Sequence, residues 1–265
     1  MEVNYIDHMG SDLSVVNAAR VSFKKRSEWR FPEEKQPGDV PVNRGDAGIM
    51  YLPAADAKLI QYLARGCTTQ QWNNLIARAM VDAEDYDEMA ETLREARSMP
   101  RHWTPFGHVA VCLSIKAPFF VARQLFKHKM GAVENEVSRR YVTDDPEIWV
   151  PDAWRGAAKN KKQGSDGPIE DQRWAEEIYD VATKTAVESY RLLLNGGIAP
   201  EQARAVLPNG TYTEWWVNGS LFYWANVYLH RSREDAQIET KIVAEMIEDV
   251  VQPLFPVSWQ ALTEL

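Results

Sequence analysis

Residues 123–141 read Arg-Gln-Leu-Phe-Lys-His-Lys-Met-Gly-Ala-Val-Glu-Asn-Glu-Val-Ser-Arg-Arg-Tyr. Arg123, Lys127, His128, Lys129, Arg139 and Arg140 crowd this stretch, with Glu134, Glu136 and Ser138 among them. The chain as a whole has 265 residues and a formal charge of −8. A local basic cluster on an acidic protein points to a small anion, because a protein that wraps a polyanion is usually basic overall. The rival reading is a helix face laced with surface ion pairs through Glu134 and Glu136. Spacing alone weights the two about equally.

Composition narrows the classes. The chain is 45% hydrophobic and 26% charged, ordinary for a globular protein able to bury a full core. Its acidic balance argues against nucleic-acid and membrane-surface partners. No apolar run approaches the ~20 residues that span a bilayer. The start, Met1-Glu-Val-Asn-Tyr-Ile-Asp7, has no basic segment followed by an apolar one, so no signal peptide is expected. Cys67 and Cys112 make neither a disulfide framework nor a zinc spacing, so no metal is expected and a reducing, cytoplasmic setting is. Trp215, Trp216, Trp224 and Trp259 cluster in the last quarter, as in a core or a ring-stacking surface.

Outward from the basic stretch, Val109–Ala117 reads as a strand and Phe119–Lys127 as a helix with Pro118 in its first turn. Residues 12–24 open as a helix and turn strand-like at Val21-Ser-Phe23; residues 26–46 read as a long loop. Helices are predicted at 53–64, ending near Gly66, and over 68–98, where the acidic run Asp82–Glu91 reads as a solvated face. Residues 142–168 read as loop. Helices follow at 170–195, from Pro200, at 221–229 and at 235–251. The sum is a helix-rich α/β chain with few strands. It carries neither a dinucleotide-binding glycine fingerprint nor a P-loop.

Three further clusters carry chemistry. Arg204 precedes Ala205-Val-Leu-Pro208, where an internal ion pair is at least as good a reading as a ligand contact. Arg231 and Arg233 fall at a break between helices, a common place for functional side chains, although a charged turn is the plainer reading. Arg101-His-Trp-Thr-Pro-Phe-Gly-His108 places Thr104 in an extended pre-proline position, where its hydroxyl can meet a phosphate. A nucleoside monophosphate needs a receptor for a dianion, and Arg123, Gln124, Lys127, Ser138 and Arg140 are suitable types for one. A thiol nucleophile is weakly supported, since Cys112 lies mid-strand and Cys67 has no neighbouring His.

In order, these clusters resemble the flavin-dependent thymidylate synthases. That family has an Arg-His-Arg, seven residues, then Ser, within an Arg-Gln…Asn-Glu-x-Ser-x-Arg-Tyr frame. Here the frame is Arg123-Gln124, Lys127-His128-Lys129 and Asn135-Glu136-Val-Ser138-Arg-Arg140-Tyr141. Asn17-Ala-Ala-Arg-Val-Ser22, His102-x-Thr-Pro-Phe-x-His108, Ala203-Arg-x-x-Leu-Pro208 with Tyr212-Thr, and Arg231…Ala236-Gln-x-Glu239 are similar to other family elements. The departures are specific. Lysines replace both arginines of the triplet. Eight residues separate Lys129 from Ser138. Gly107 stands for a Glu, and His230 for a Leu.

The resemblance implies an α+β fold: one helix-rich catalytic domain, 1–265, around a small, mostly antiparallel sheet, with a helical insertion at about 67–99. It implies reductive methylation of dUMP to dTMP, with methylenetetrahydrofolate as carbon donor and NADPH as reductant through FAD. Arg231 would activate the uracil. Gln124, Lys127, Glu136, Ser138, Arg139, Arg140, Arg204 and Arg231 would hold dUMP. Thr104, Lys127, His128, Lys129, Glu136, Ser220 and Asn226 would hold FAD. Family members are homotetramers with shared active sites. The triplet lysines and the longer loop keep open a dUMP hydroxymethylase. A non-catalytic nucleotide-binding homologue is the third reading.

Overall fold

The join at Pro118 shows how the local sequence sets its elements. Ala110–Pro118 forms a strand with Val111, Leu113, Ile115 and Ala117 fully buried. Pro118 then caps the next helix from outside its first turn, because its fixed φ of −66° suits both neighbours.

The computed structural model describes residues 1–81, 86–158 and 164–264. The chain runs β1 (Glu2–Met9), α1 (Asp12–Arg20), β2 (Val40–Asn43), β3 (Ile49–Leu52), α2 (Ala54–Arg65), α3 (Thr69–Val81), α4 (Tyr86–Ser98) and β4 (Ala110–Pro118). It continues through α5 (Phe119–Leu125), β5 (Ala132–Glu136), β6 (Arg155–Ala157), β7 (Ser165–Pro168), α6 (Gln172–Asn195) and α7 (Pro200–Ala203). It closes with β8 (Tyr212–Ser220), α8 (Leu221–Arg231), α9 (Ile238–Val251) and α10 (Pro256–Thr263). Part of the predicted acidic run, 82–85, and part of the 142–168 loop, 159–163, lie outside the described residues. Asp87 and Glu91 of that run are exposed. No helix among the described residues is long and apolar enough to cross a membrane.

Two compact units make up the fold. The first comprises Met1–Ile6, Cys112–Asn218 and Val227–Glu248. It carries most of a four-stranded sheet, in the order β1-β4-β8-β5. In β8, Thr213, Trp215 and Val217 are buried while Glu214, Trp216 and Asn218 are exposed. This period of two marks a strand with one face covered. The 142–168 segment departs from a plain loop, since β6 and β7 pair antiparallel. Gln172 holds the segment down by accepting from the Trp154 amide at 2.7 Å and donating to the Trp154 and Ile169 carbonyls.

The second unit comprises Asp7–Val111, Gly219–Asn226 and Asp249–Leu265. Asp12 is buried there and accepts the Val257 and Ser258 amides at 3.2 and 2.8 Å, satisfying the first turn of α10. Burial pushes its carboxyl above the usual range, against the pull of those hydrogen bonds. Trp224 is 1% exposed, and its indole N–H donates to the Val111 carbonyl at 3.0 Å. Arg20 reaches Asp56 at 2.5 Å and so ties α1 to α2.

Two sequence expectations change in this unit. Val21–Phe23 is a 3-10 turn, closed by Lys24 at φ 52°, and no strand among the described residues pairs with it. Val40–Asn43, expected as loop, pairs antiparallel with β3 in the register Val40↔Leu52.

Candidate nucleotide site

Arg231 is the last residue of α8, at the break between helices that the sequence marks. Its Nε donates to His128 Nε2 at 3.1 Å and its Nη2 to the Gln124 carbonyl at 2.7 Å. Both Nη1 hydrogens and one on Nη2 have no partner among the described residues. For His128 to accept at Nε2, its ring must be neutral with the proton on Nδ1. Burial, with help from the Arg231 charge and His230, pushes its pKa from 6.5 down to about 4. Burial also lowers the pKa of Arg231, yet a guanidinium stays charged across the physiological range. The site thus couples a fixed cation to a neutral imidazole.

Gln124 extends this node. Its Nε2 donates to Gln237 Oε1 at 2.6 Å and to the Phe120 carbonyl at 3.3 Å. Gln237 donates in turn to Glu239 Oε2 at 2.9 Å, and Arg155 donates to Glu239 Oε1 at 2.5 Å. In the sequence, Gln237 and Glu239 stand within a motif that gives them no role by itself. It did not single out Arg155, which sits in a segment read as loop with nothing local to mark its partner.

The other expected residues are placed as follows. Lys127 is exposed in the turn after α5. Lys129 in the same turn pairs with Glu134, so part of the rival salt-bridge reading holds. Glu136 ends β5 and accepts from the Thr213 hydroxyl at 2.8 Å. The Ser138 hydroxyl accepts from the Arg140 amide and Nε at 3.3 and 3.4 Å. Arg140 is exposed, with its cation 5.0 Å from the Tyr141 ring centre. Arg139 turns back onto its own loop and donates to the Asp144 carbonyl at 2.5 Å. Arg204 is exposed, and its guanidinium bonds only the Glu201 carbonyl among the described residues, so the internal ion pair weighed for it does not form there.

Thr104, Ser220 and Asn226 lie in the second unit. Thr104 lines a cavity of about 720 Å³ with Arg20, Ser22, Lys25, Tyr62 and His102, among others. His102 stacks on Tyr62 at 5.6 Å and donates its amide to the Leu63 carbonyl at 2.9 Å. The motif Asn17–Ser22 is the sequence signal for this wall. The Ser220 hydroxyl accepts the Tyr223 amide at 3.2 Å, a helix-capping contact. Asn226 donates to the Phe222 carbonyl at 2.8 Å, one turn back in its own helix.

Comparison with known proteins agrees along nearly the whole chain. The pattern of the thymidylate synthase complementing protein family matches residues 4–257. The flavin-dependent thymidylate synthase of Thermus thermophilus is 36% identical over 195 residues, which is 71% of this chain and 72% of that protein. The one from Kosmotoga olearia is 33% identical over 264 residues, 98% of this chain and 88% of that protein. Among solved structures, the UMP/dUMP methylase PolB from Streptomyces cacaoi, bound with 5-Br dUMP, is 26% identical with a TM-score of 0.68. That match covers 100% of this chain and 95% of PolB.

Proposed function

The chain belongs to the thymidylate synthase complementing protein family, and from that premise we propose that it is a flavin-dependent thymidylate synthase that methylates dUMP to dTMP. Methylenetetrahydrofolate is the carbon donor and NADPH the reductant, through FAD. The observation that carries the reading is the Arg231 guanidinium, held by His128 and the Gln124 carbonyl with its remaining N–H groups unpartnered among the described residues. Aimed at the uracil edge, it stabilises negative charge as N3 loses its proton or an enolate develops, and C5 becomes nucleophilic. A donor fixed in advance costs no reorganisation at the moment of reaction. Gln124, Lys127, Glu136, Ser138, Arg139, Arg140 and Arg204 complete the nucleotide site in this reading, with Ser138 and Arg140 near the phosphate. Arg139 is the weakest member, because Asp144 already occupies it.

The residues present fit a flavin dinucleotide. Lys127 is an exposed cation, and the ion pair that holds Lys129 is a surface one of small worth, readily exchanged for a phosphate. Thr104 and Lys25 offer a hydroxyl and a cation in a cavity that also presents the Tyr62 ring. His128, Glu136, Ser220 and Asn226 complete the FAD set. FAD, when bound, supplies the hydride that reduces the transferred carbon. Assembly as a homotetramer with shared sites belongs to the same reading. Among the described residues, Ser138, Arg140 and Arg204 make no hydrogen bond to the Arg231 node, and in this reading they complete a site with a second copy. The reading also places the protein in the cytoplasm, where the thiols of Cys67 and Cys112 stay reduced.

Arg231→Ala tests the assignment. Removing one preorganised donor of developing negative charge costs about 10²–10³ in turnover, measured at saturating FAD because His128, which Arg231 holds, belongs to the FAD set. Wild-type turnover of dUMP by this variant would overturn the role given to Arg231.

A further inference from the structure

We propose that Glu239 and Arg155 act as positioning residues that fix the polarity of the Gln124 amide, so that Gln124 meets the nucleotide as a hydrogen-bond acceptor. Its partner is then a donor of the base or sugar, and not the phosphate. The inference rests on the dUMP reading above and deepens it.

The argument starts at the buried end. Glu239 is 3% exposed near the start of α9. Arg155 meets its Oε1 at 2.5 Å and is itself held by Ser165 Oγ, which accepts from Arg155 Nε at 2.8 Å across the β6–β7 pair. Burial pushes the Glu239 carboxyl up, but the bonds from Arg155 and Gln237 outweigh it, so the group stays ionised. An ionised carboxylate only accepts hydrogen bonds. Gln237 must therefore turn its NH₂ toward Glu239, at 2.9 Å, and its carbonyl toward Gln124. Gln124 must then turn its own NH₂ toward Gln237, at 2.6 Å. The second hydrogen of that NH₂ faces the Phe120 carbonyl at 3.3 Å. Both donors of Gln124 are engaged, and no group among the described residues donates to its Oε1. The chain of amides thus passes the sign of one buried charge to the site. A phosphate dianion offers no donor to the remaining oxygen, whereas uracil N3–H and the ribose 3′-hydroxyl do.

The test measures binding to the FAD-loaded protein by calorimetry. The ligands are dUMP, its N3-methyl analogue and its 3′-deoxy analogue, against wild type, Glu239→Gln, Gln237→Leu and the exchange Gln237→Glu/Glu239→Gln. Wild type is expected to bind one analogue at least about tenfold more weakly than dUMP, and that analogue identifies the donor. Glu239→Gln frees both amides to turn over, so dUMP binding weakens about tenfold and the penalty on that analogue falls below about threefold. Gln237→Leu cuts the same chain without touching the buried ion pair and is expected to act likewise, which keeps the test decisive if Glu239→Gln does not fold. The exchange puts a carboxylate beside Gln124 again and is expected to restore the discrimination, which a general loosening of the fold would not do. Equal binding of all three ligands by wild type, or an unchanged analogue penalty in Glu239→Gln and Gln237→Leu, overturns the proposal. Failure of wild type to bind dUMP at all overturns the dUMP reading together with it.

Discussion

Arg231 and His128 hold each other in place, and this pairing has a pH signature. His128 titrates at about 4 in the folded protein and near 6.5 when free. Between these values the unfolded chain takes up a proton that the folded chain refuses. The contribution of His128 is therefore fully present above pH 6.5 and is lost as pH falls toward 4. It amounts to on the order of 2 kcal/mol once partial solvent exposure is allowed for. Asparagine keeps an acceptor for Arg231 but does not titrate. The difference in Tm between wild type and His128→Asn is expected to be flat above pH 6.5 and to shift against wild type below it. A difference that stays constant from pH 7 to pH 4 would mean that the imidazole is not held neutral by this contact.

Residue types in the basic stretch were legible as an anion receptor, but their partners were not. Lys129 and Arg139 are engaged by Glu134 and Asp144, and no spacing rule separates them beforehand from the exposed Lys127 and Arg140. The Glu239–Arg155 pair joins residues 84 apart in sequence, so local pattern carries no trace of it.

Among elements, helix positions were the most readable, because caps and glycine stops act locally. Asp171 accepts the Trp174 amide at 2.9 Å and starts α6 two residues later than Glu170, and Gly196-Gly197 ends it as the sequence suggests. Strands β1, β5 and β8 were not anticipated. The alternation in β8 is present in Thr213, Trp215 and Val217, but its exposed face carries Trp216, which hides the polar half of the pattern.

The 67–99 segment forms α3 and α4, joined by an Arg78–Glu95 contact at 2.8 Å. A Cβ placed on Gly66 would lie 2.6 Å from the Pro100 carbonyl oxygen, so the segment leaves and returns at one point. We propose that this closed excursion is an insertion. Gly66 also has φ 77°, whereas Gly197, at φ 81°, has open space around it. Gly66→Ala is expected to cost about 1–3 kcal/mol from strain and contact together. Gly197→Ala should cost about 1 kcal/mol, from backbone strain alone. The urea midpoints of the two variants check the ordering. An equal loss would show that Pro100 gives way freely.

At the scale of the whole molecule, each of the two units packs a core of its own. The dUMP set lies in the first unit, while Thr104, Ser220 and Asn226 lie in the second. The family resemblance made the fold class and the activity legible where composition stopped at a helix-rich α/β chain that binds a small anion. The central claim is methylation of dUMP, and the nucleotide product tests it most directly. FAD-loaded protein is incubated with dUMP, methylenetetrahydrofolate and NADPH, and the nucleotide is identified by mass spectrometry. The account predicts dTMP, heavier than dUMP by one CH₂. A product heavier by a further oxygen would identify a hydroxymethylase, and unchanged dUMP would contradict the catalytic reading.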